Sequence, residues 1–126
     1  MPTYSNAEDV KALVDGIIDL LDFFHVDKSR VFCLRSKGSK ARGTLARIHS
    51  FPKAYQIALG MKPLYIIEVI SESFNDLPKD EREKVLIHEL LHIPKGFTGG
   101  LVTHRRDFDS IVELCHRAYR SKLNDV

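Results

Sequence analysis

The sequence predicts an α+β fold: a small, mostly antiparallel sheet of three or four strands packed with an N-terminal helix, a buried central helix and a C-terminal helix. Three observations predict it. Apolar residues recur at helical spacing near both ends of the chain, in Val10, Leu13, Val14, Ile17, Ile18 and Leu21 and again in Phe108, Ile111, Val112, Cys115 and Tyr119. Between these stretches lie short runs rich in β-branched and aromatic residues, bounded by glycine and proline. Finally, residues 83–93 are apolar almost all round, as a helix in the middle of a domain is.

Taken in order, Ser5, Asn6, Ala7 and Glu8 read as a capping box, with Ser5 at the cap and Glu8 reaching back, opening a helix over residues 6–24. His25 then stands where a helix C-terminus favours positive charge. Strands are expected over 30–35, with Val31, Phe32 and Leu34, and over 44–51, where His49 reads as a strand or surface histidine. Two more are expected over 54–59, between Pro52 and Gly60, and over 64–70, the most apolar of the four. Residues 36–43 read as a polar, glycine-bearing turn or mobile loop. After a connector over 71–77, Pro78 suits the first turn of the central helix, and Asp80, Glu81 and Glu83 favour its positive end. Pro94 stops that helix. Gly96, Gly99 and Gly100 let the chain turn sharply before a last helix over 104–122.

At 126 residues the chain is expected to form one domain, residues 1–126. The most apolar window, residues 17–24, is broken by Asp19 and Asp22, so no transmembrane helix is expected. Met1-Pro2-Thr3-Tyr4 lacks the basic-then-apolar pattern of a secretory signal, which makes a cytoplasmic location the expectation. Cys33 and Cys115 have no metal-type spacing and read as reduced, buried thiols. The net charge is only +2, but Lys28, Arg30, Arg35, Lys37, Lys40, Arg42, Arg47 and Lys53 follow one another with no acid between them. Such a segment, 28–53, is a candidate nucleic-acid contact, although a solvated strand face and loop is the commoner outcome.

The chemistry concentrates in His88-Glu89-Leu90-Leu91-His92. Histidines four residues apart lie one turn apart on one helix face, so both imidazoles can reach one metal ion. Glu89, next to the first histidine, falls beside that ion, where its carboxylate can act as general base on a metal-activated water. A surface helix that happens to carry two histidines is the rival reading. Val85, Leu86, Ile87, Leu90, Leu91 and Ile93 count against it, because buried polar groups without partners cost several kcal/mol. A catalytic zinc takes three protein ligands and keeps a fourth position open. His104 is the preferred third ligand: four residues before Phe108 and seven before Ile111, it shares the apolar stripe of the last helix. Glu113 is its competitor. Asp107 and Asp109 read as outer partners or helix-start charges, and His116 as an exposed or core-edge histidine. One Zn2+ per chain, held by His88, His92 and His104, is the expectation.

These residues carry a resemblance. His88-Glu89-Leu90-Leu91-His92-Ile93-Pro94, then Gly99-Gly100, then His104-Arg105-Arg106-Asp107-Phe108, resemble the small zincin-type metallopeptidases. The pattern is most similar to that of the phage and archaeal metallopeptidases related to SprT-like domains, and it extends through residues 40–112. The resemblance implies a third histidine ligand followed four residues later by phenylalanine, which His104 and Phe108 match. The metzincin spacing, with a third histidine six residues after the second, is absent.

The leading expectation is therefore a zinc-dependent endopeptidase acting on a peptide or protein substrate. The substrate would lie extended along a sheet edge, formed by the strand over 54–59 or the one over 64–70. Arg105 and Arg106 are the nearest candidates to stabilise an oxyanion. Two rivals stand beside it: a zinc-containing protein that contacts nucleic acid through residues 28–53, and a latent peptidase covered by the loop over 36–43 or by the C-terminal tail.

Overall fold

The computed structural model describes residues 2–39, 43–104 and 106–125. The elements run β1 (Thr3–Asn6), α1 (Glu8–Leu20), a 3-10 turn (Lys28–Arg30), β2 (Val31–Lys37), β3 (Ala46–His49), α2 (Lys53–Leu59), β4 (Tyr65–Ile70), α3 (Ser71–Phe74), α4 (Lys79–Leu90) and α5 (Phe108–Asn124). The fold is α+β. Its four strands lie in the order β1-β2-β4-β3, with β1 and β3 antiparallel to their neighbours and the central pair β2–β4 parallel.

Alternation along the strands decides which face is covered. Val31 and Cys33 of β2 and Tyr65, Ile67 and Val69 of β4 point to the helices and are buried. Onto them pack Val10, Val14, Ile17 and Ile18 of α1 and Leu86, Ile87 and Leu90 of α4, with Val112 and Tyr119 of α5 closing the cluster. Each fully buried aliphatic side chain contributes about 1.5–3 kcal/mol. α4 touches β3, α1 and α5. It is the hub of the helical layer. No helix of the described residues is long and apolar enough to cross a membrane.

Several boundaries depart from the sequence reading. Ser5 does not cap α1. It belongs to β1, in register with Arg35, and the cap position falls to Ala7, whose N–H donates to the Cys33 carbonyl at 3.1 Å. A capping hydroxyl needs a backbone that has left its strand, and Ser5 has not. α1 also stops at Leu20, short of residue 24: Asp22 takes a left-handed conformation, φ 54°, and Phe23 N–H donates back to Ile18 O at 3.0 Å. His25 therefore lies beyond the helix end, where burial and then Lys95 lower its pKa.

The strand expected over 54–59 is a helix, α2. Pro52 occupies its N-cap and Gly60, at φ 62°, its C-cap, with Met61 N–H donating to Gln56 O at 3.0 Å. The alternation of Tyr55, Ile57 and Leu59 imitated a strand, yet all three are exposed and only Gln56 is buried. Proline before and glycine after are helix punctuation, and they override so short an apolar run. The connector over 71–77 contains the one-turn α3. The last helix begins at Phe108, not 104. Its buried stripe is Phe108, Val112, His116 and Tyr119, so His116 takes a place expected for Ile111 or Cys115. Both cysteines are free thiols.

Candidate metal centre

α4 begins after Pro78 and runs regularly to Leu90, then tightens: His92 N–H donates to Glu89 O at 3.1 Å and Ile93 N–H to Leu90 O at 3.1 Å. This 3-10-like turn keeps His92 close to the helix axis before Pro94 ends the run. His88 and His92 thus share a face, with ring centroids 5.2 Å apart.

The third histidine arrives by a pinned return of the chain. Phe51 N–H donates to Gly99 O at 2.7 Å, Gln56 Nε2 donates to Thr98 O at 2.9 Å, and the buried Tyr65 hydroxyl accepts from Gly99 N–H and donates to Gly100 O, both at 2.8 Å. Gly99 sits at φ +93°, and a Cβ there would collide with the Phe51 carbonyl. Val102 then pairs with His92 twice, its N–H donating to His92 O at 2.7 Å and its carbonyl accepting from His92 Nδ1 at 2.6 Å. A carbonyl can only accept, so Nδ1 carries a proton, and in the neutral ring the lone pair then falls on Nε2. His104 follows in a segment without regular structure before α5, exposed, with its Nε2 2.7 Å from His88 Nε2.

The result is a cluster of His88, His92 and His104 whose ligand nitrogens lie within 4.8 Å of one another. Phe108, buried at the start of α5, backs all three rings at centroid distances of 5.1, 5.1 and 5.2 Å. Burial, then the neighbouring His92 and His104, lower the pKa of His88, which favours the neutral imidazole. Glu89 lines the same cleft as the three histidines and is 8 % exposed; burial pushes its pKa up to about 7, against a hydrogen bond from the Ile48 N–H of β3. A cleft of about 750 Å³ opens over the cluster, walled by Thr44 and Ala46 on one side and by Asp109 and Val112 on the other.

The structure thus brings together the residues singled out in sequence, with two qualifications of place. His104 is not on the last helix, and the strand bordering the cleft is β3, an edge of the sheet, rather than the segment over 54–59 or β4. Glu113 lines the cleft but is paired with Lys84 at 3.1 Å and stands outside the histidine group. Asp107 is the N-cap residue of α5 and Asp109 lies in its first turn. Arg105 lies outside the described residues, as do Lys40 and Arg42 of the basic segment. Of that segment, Lys28 is paired with Asp19, Arg35 with Asp9 and Arg47 with Glu68, while Arg30 donates to the carbonyls of Lys62 and Pro63. His49 is a strand histidine, 2.8 Å from Glu68. Sequence reasoning missed the Val102 carbonyl and the Ile48 N–H, backbone groups that carry no residue-type signal.

No curated protein and no solved structure matches the chain. A family model does, over residues 2–126, and on that match the chain belongs to the family described as "Putative phage metallopeptidase".

Proposed function

We propose that the protein is a zinc-dependent endopeptidase in which His88, His92 and His104 hold the metal and Glu89 is the general base. The observation that carries this reading is the convergence of three imidazole nitrogens within 4.8 Å beside one buried carboxylate. The donor set fits the ion. Three imidazoles, with no fourth ligand-type side chain grouped with them among the described residues, are the donor set of an open catalytic zinc site, and the Val102 carbonyl holds the His92 Nδ1 proton so that Nε2 is the ligand atom. Membership of a metallopeptidase family supports it independently.

Zinc, when bound there, supplies the Lewis acidity that polarises a peptide carbonyl and makes water a nucleophile at neutral pH. Glu89 takes the proton from the attacking water and passes it to the leaving amine, and its burial next to the Ile48 N–H keeps it aimed at the cleft. Phe108 holds the imidazoles in place and keeps solvent from their backs. The substrate lies extended along β3, an edge whose outer side faces the cleft, so main-chain hydrogen bonds supply much of its hold and side-chain pockets its selectivity.

The test has two arms, zinc content after chelator stripping and reloading, and cleavage of an unfolded protein substrate such as casein. Glu89→Gln is expected to keep zinc while losing activity by about 10²–10⁴-fold. His104→Ala is expected to lose the tightly held zinc. Full activity in zinc-loaded Glu89→Gln, or unchanged zinc affinity in His104→Ala, would overturn these assignments.

A further inference from the structure

A second group of ligand-type side chains lies on the other half of α4. Asp80 and Glu83, three residues apart, face His116 of α5, and one ligand atom from each lies within 4.8 Å of the others. His116 Nε2 is 2.9 Å from Glu83 Oε1 and 3.9 Å from Asp80 Oδ1. Glu83 is completely buried and His116 is 6 % exposed, whereas the Asp80 side chain is 58 % exposed and opens the group to solvent. Arg120 borders it, with Nε 3.6 Å from Asp80 Oδ1 and Nη1 3.5 Å from Glu83 Oε2.

One atom does not balance. Glu83 Oε2 is wholly buried and accepts no hydrogen bond among the described residues. Its charged neighbour is the Arg120 guanidinium at 3.5 Å, an ion pair that makes no hydrogen bond, so the desolvated oxygen is left under-satisfied. One Glu83 oxygen lies within 4.8 Å of a ligand atom of His116 and of one of Asp80, so a small cation between the three would replace the His116 Nε2–Glu83 Oε1 hydrogen bond.

We propose that Asp80, Glu83 and His116 form a second divalent-cation site, separate from the histidine cluster and independent of the peptidase reading. One imidazole nitrogen and two carboxylates are a mixed donor set that suits a first-row transition ion such as zinc or manganese, where calcium or magnesium takes oxygen alone. Arg120, 39 % exposed, is the competing cation: it sits beside both carboxylates and turns outward when the ion enters. The ion would tie α4 to α5 on the side away from the cleft, so the site is structural, bracing the two helices that converge on His88, His92 and Phe108.

The experiment is a zinc titration of the chelator-stripped full chain, read by calorimetry, with Asp80→Asn and Arg120→Gln alongside. Asp80 and Arg120 are both partly exposed, so neither change empties the core. The expected result is two equivalents of zinc in the wild type, the weaker one reduced about tenfold or more by Asp80→Asn and strengthened by Arg120→Gln, with the tighter one untouched. A second equivalent indifferent to both substitutions is adventitious binding and overturns the proposal. So does a single equivalent in every form, which leaves a histidine–carboxylate–arginine network only. A second equivalent that appears only in Arg120→Gln overturns it too, since Arg120 is then the native occupant.

Discussion

One helix, α4, carries two polar clusters built on opposite terms. The cluster at its C-terminal end sets three imidazoles against one another in T-shaped and tilted contacts with no carboxylate among the ligand atoms, and its His104 is exposed. No carboxylate balances it: His88 Nε2 faces His104 Nε2 at 2.7 Å, a contact in which one of the two nitrogens donates and the other accepts. The cluster at the N-terminal half sets a buried carboxylate against a buried imidazole with an aspartate and an arginine at the rim, so charge and hydrogen bonds compensate internally except at Glu83 Oε2. On the proposed function, the first arrangement is there to receive an ion. The second holds two helices together whether or not an ion completes it. On that proposal, function and stability are carried by different turns of the same helix.

Breaking the buried pair should have the larger effect on stability. Glu83→Leu strands His116 in the interior, and removing one partner of a buried, hydrogen-bonded pair costs about 3–5 kcal/mol. Urea unfolding of metal-free protein should show that loss. A cost below about 1 kcal/mol would mean that the pair does not brace α4 against α5.

Gly99→Ala should come next, at about 1–3 kcal/mol, because a left-handed backbone and a Cβ driven at the Phe51 carbonyl act together. The same substitution should loosen the segment that delivers His104, so zinc affinity should fall with stability. Affinity left intact would show that His104 is placed by α5 rather than by the glycine turn.

His104→Ala in metal-free protein should shift stability by no more than about 0.5 kcal/mol, the usual range of an exposed site. Set beside Glu83→Leu, it makes the contrast quantitative. A loss comparable to that of Glu83→Leu would erase the distinction between a receiving cluster and a bracing one.

The smallest readout uses the thiols. Burial pushes Cys33 up to about 12 and raises Cys115 as well, so neither is an active thiolate at pH 8. Cys115, half-buried and next to His116, should react with a disulfide reagent ahead of Cys33, and faster still in Glu83→Leu. Cys33 reacting first would place the opening at β2 and not between α4 and α5.

Much of this molecule was legible in the sequence wherever the interaction is local. The spacing of His88 and His92, the adjacency of Glu89, the proline before α4 and the proline after it are all settled within a turn or two of helix. The apolar periodicity of α1 and α5 and the apolar run of β4 were readable for the same reason. Misreadings came where a short pattern suited two structures. Tyr55, Ile57 and Leu59 alternate as a strand would, and only the cap residues Pro52 and Gly60 mark the helix. Ser5 and Glu8 have capping-box spacing, but pairing with β2 had already engaged the backbone of Ser5.

By itself, then, the sequence determined which candidate donors are available, His88, Glu89, His92 and His104, and that the first two sit on a largely buried helix. Tertiary structure decided how those donors are presented. The parallel pairing of β2 with β4 puts β3 at the edge beside α4, where the Ile48 N–H reaches Glu89. The pinned glycine turn places the Val102 carbonyl on His92 and swings His104 up to His88. The packing of α5 on α4 buries His116 against Glu83, a pairing across 33 residues. The reason is physical. Backbone donors and acceptors are the same in every residue, so a contact that uses them leaves no trace in residue type, and a pair joined only by packing leaves no spacing to read.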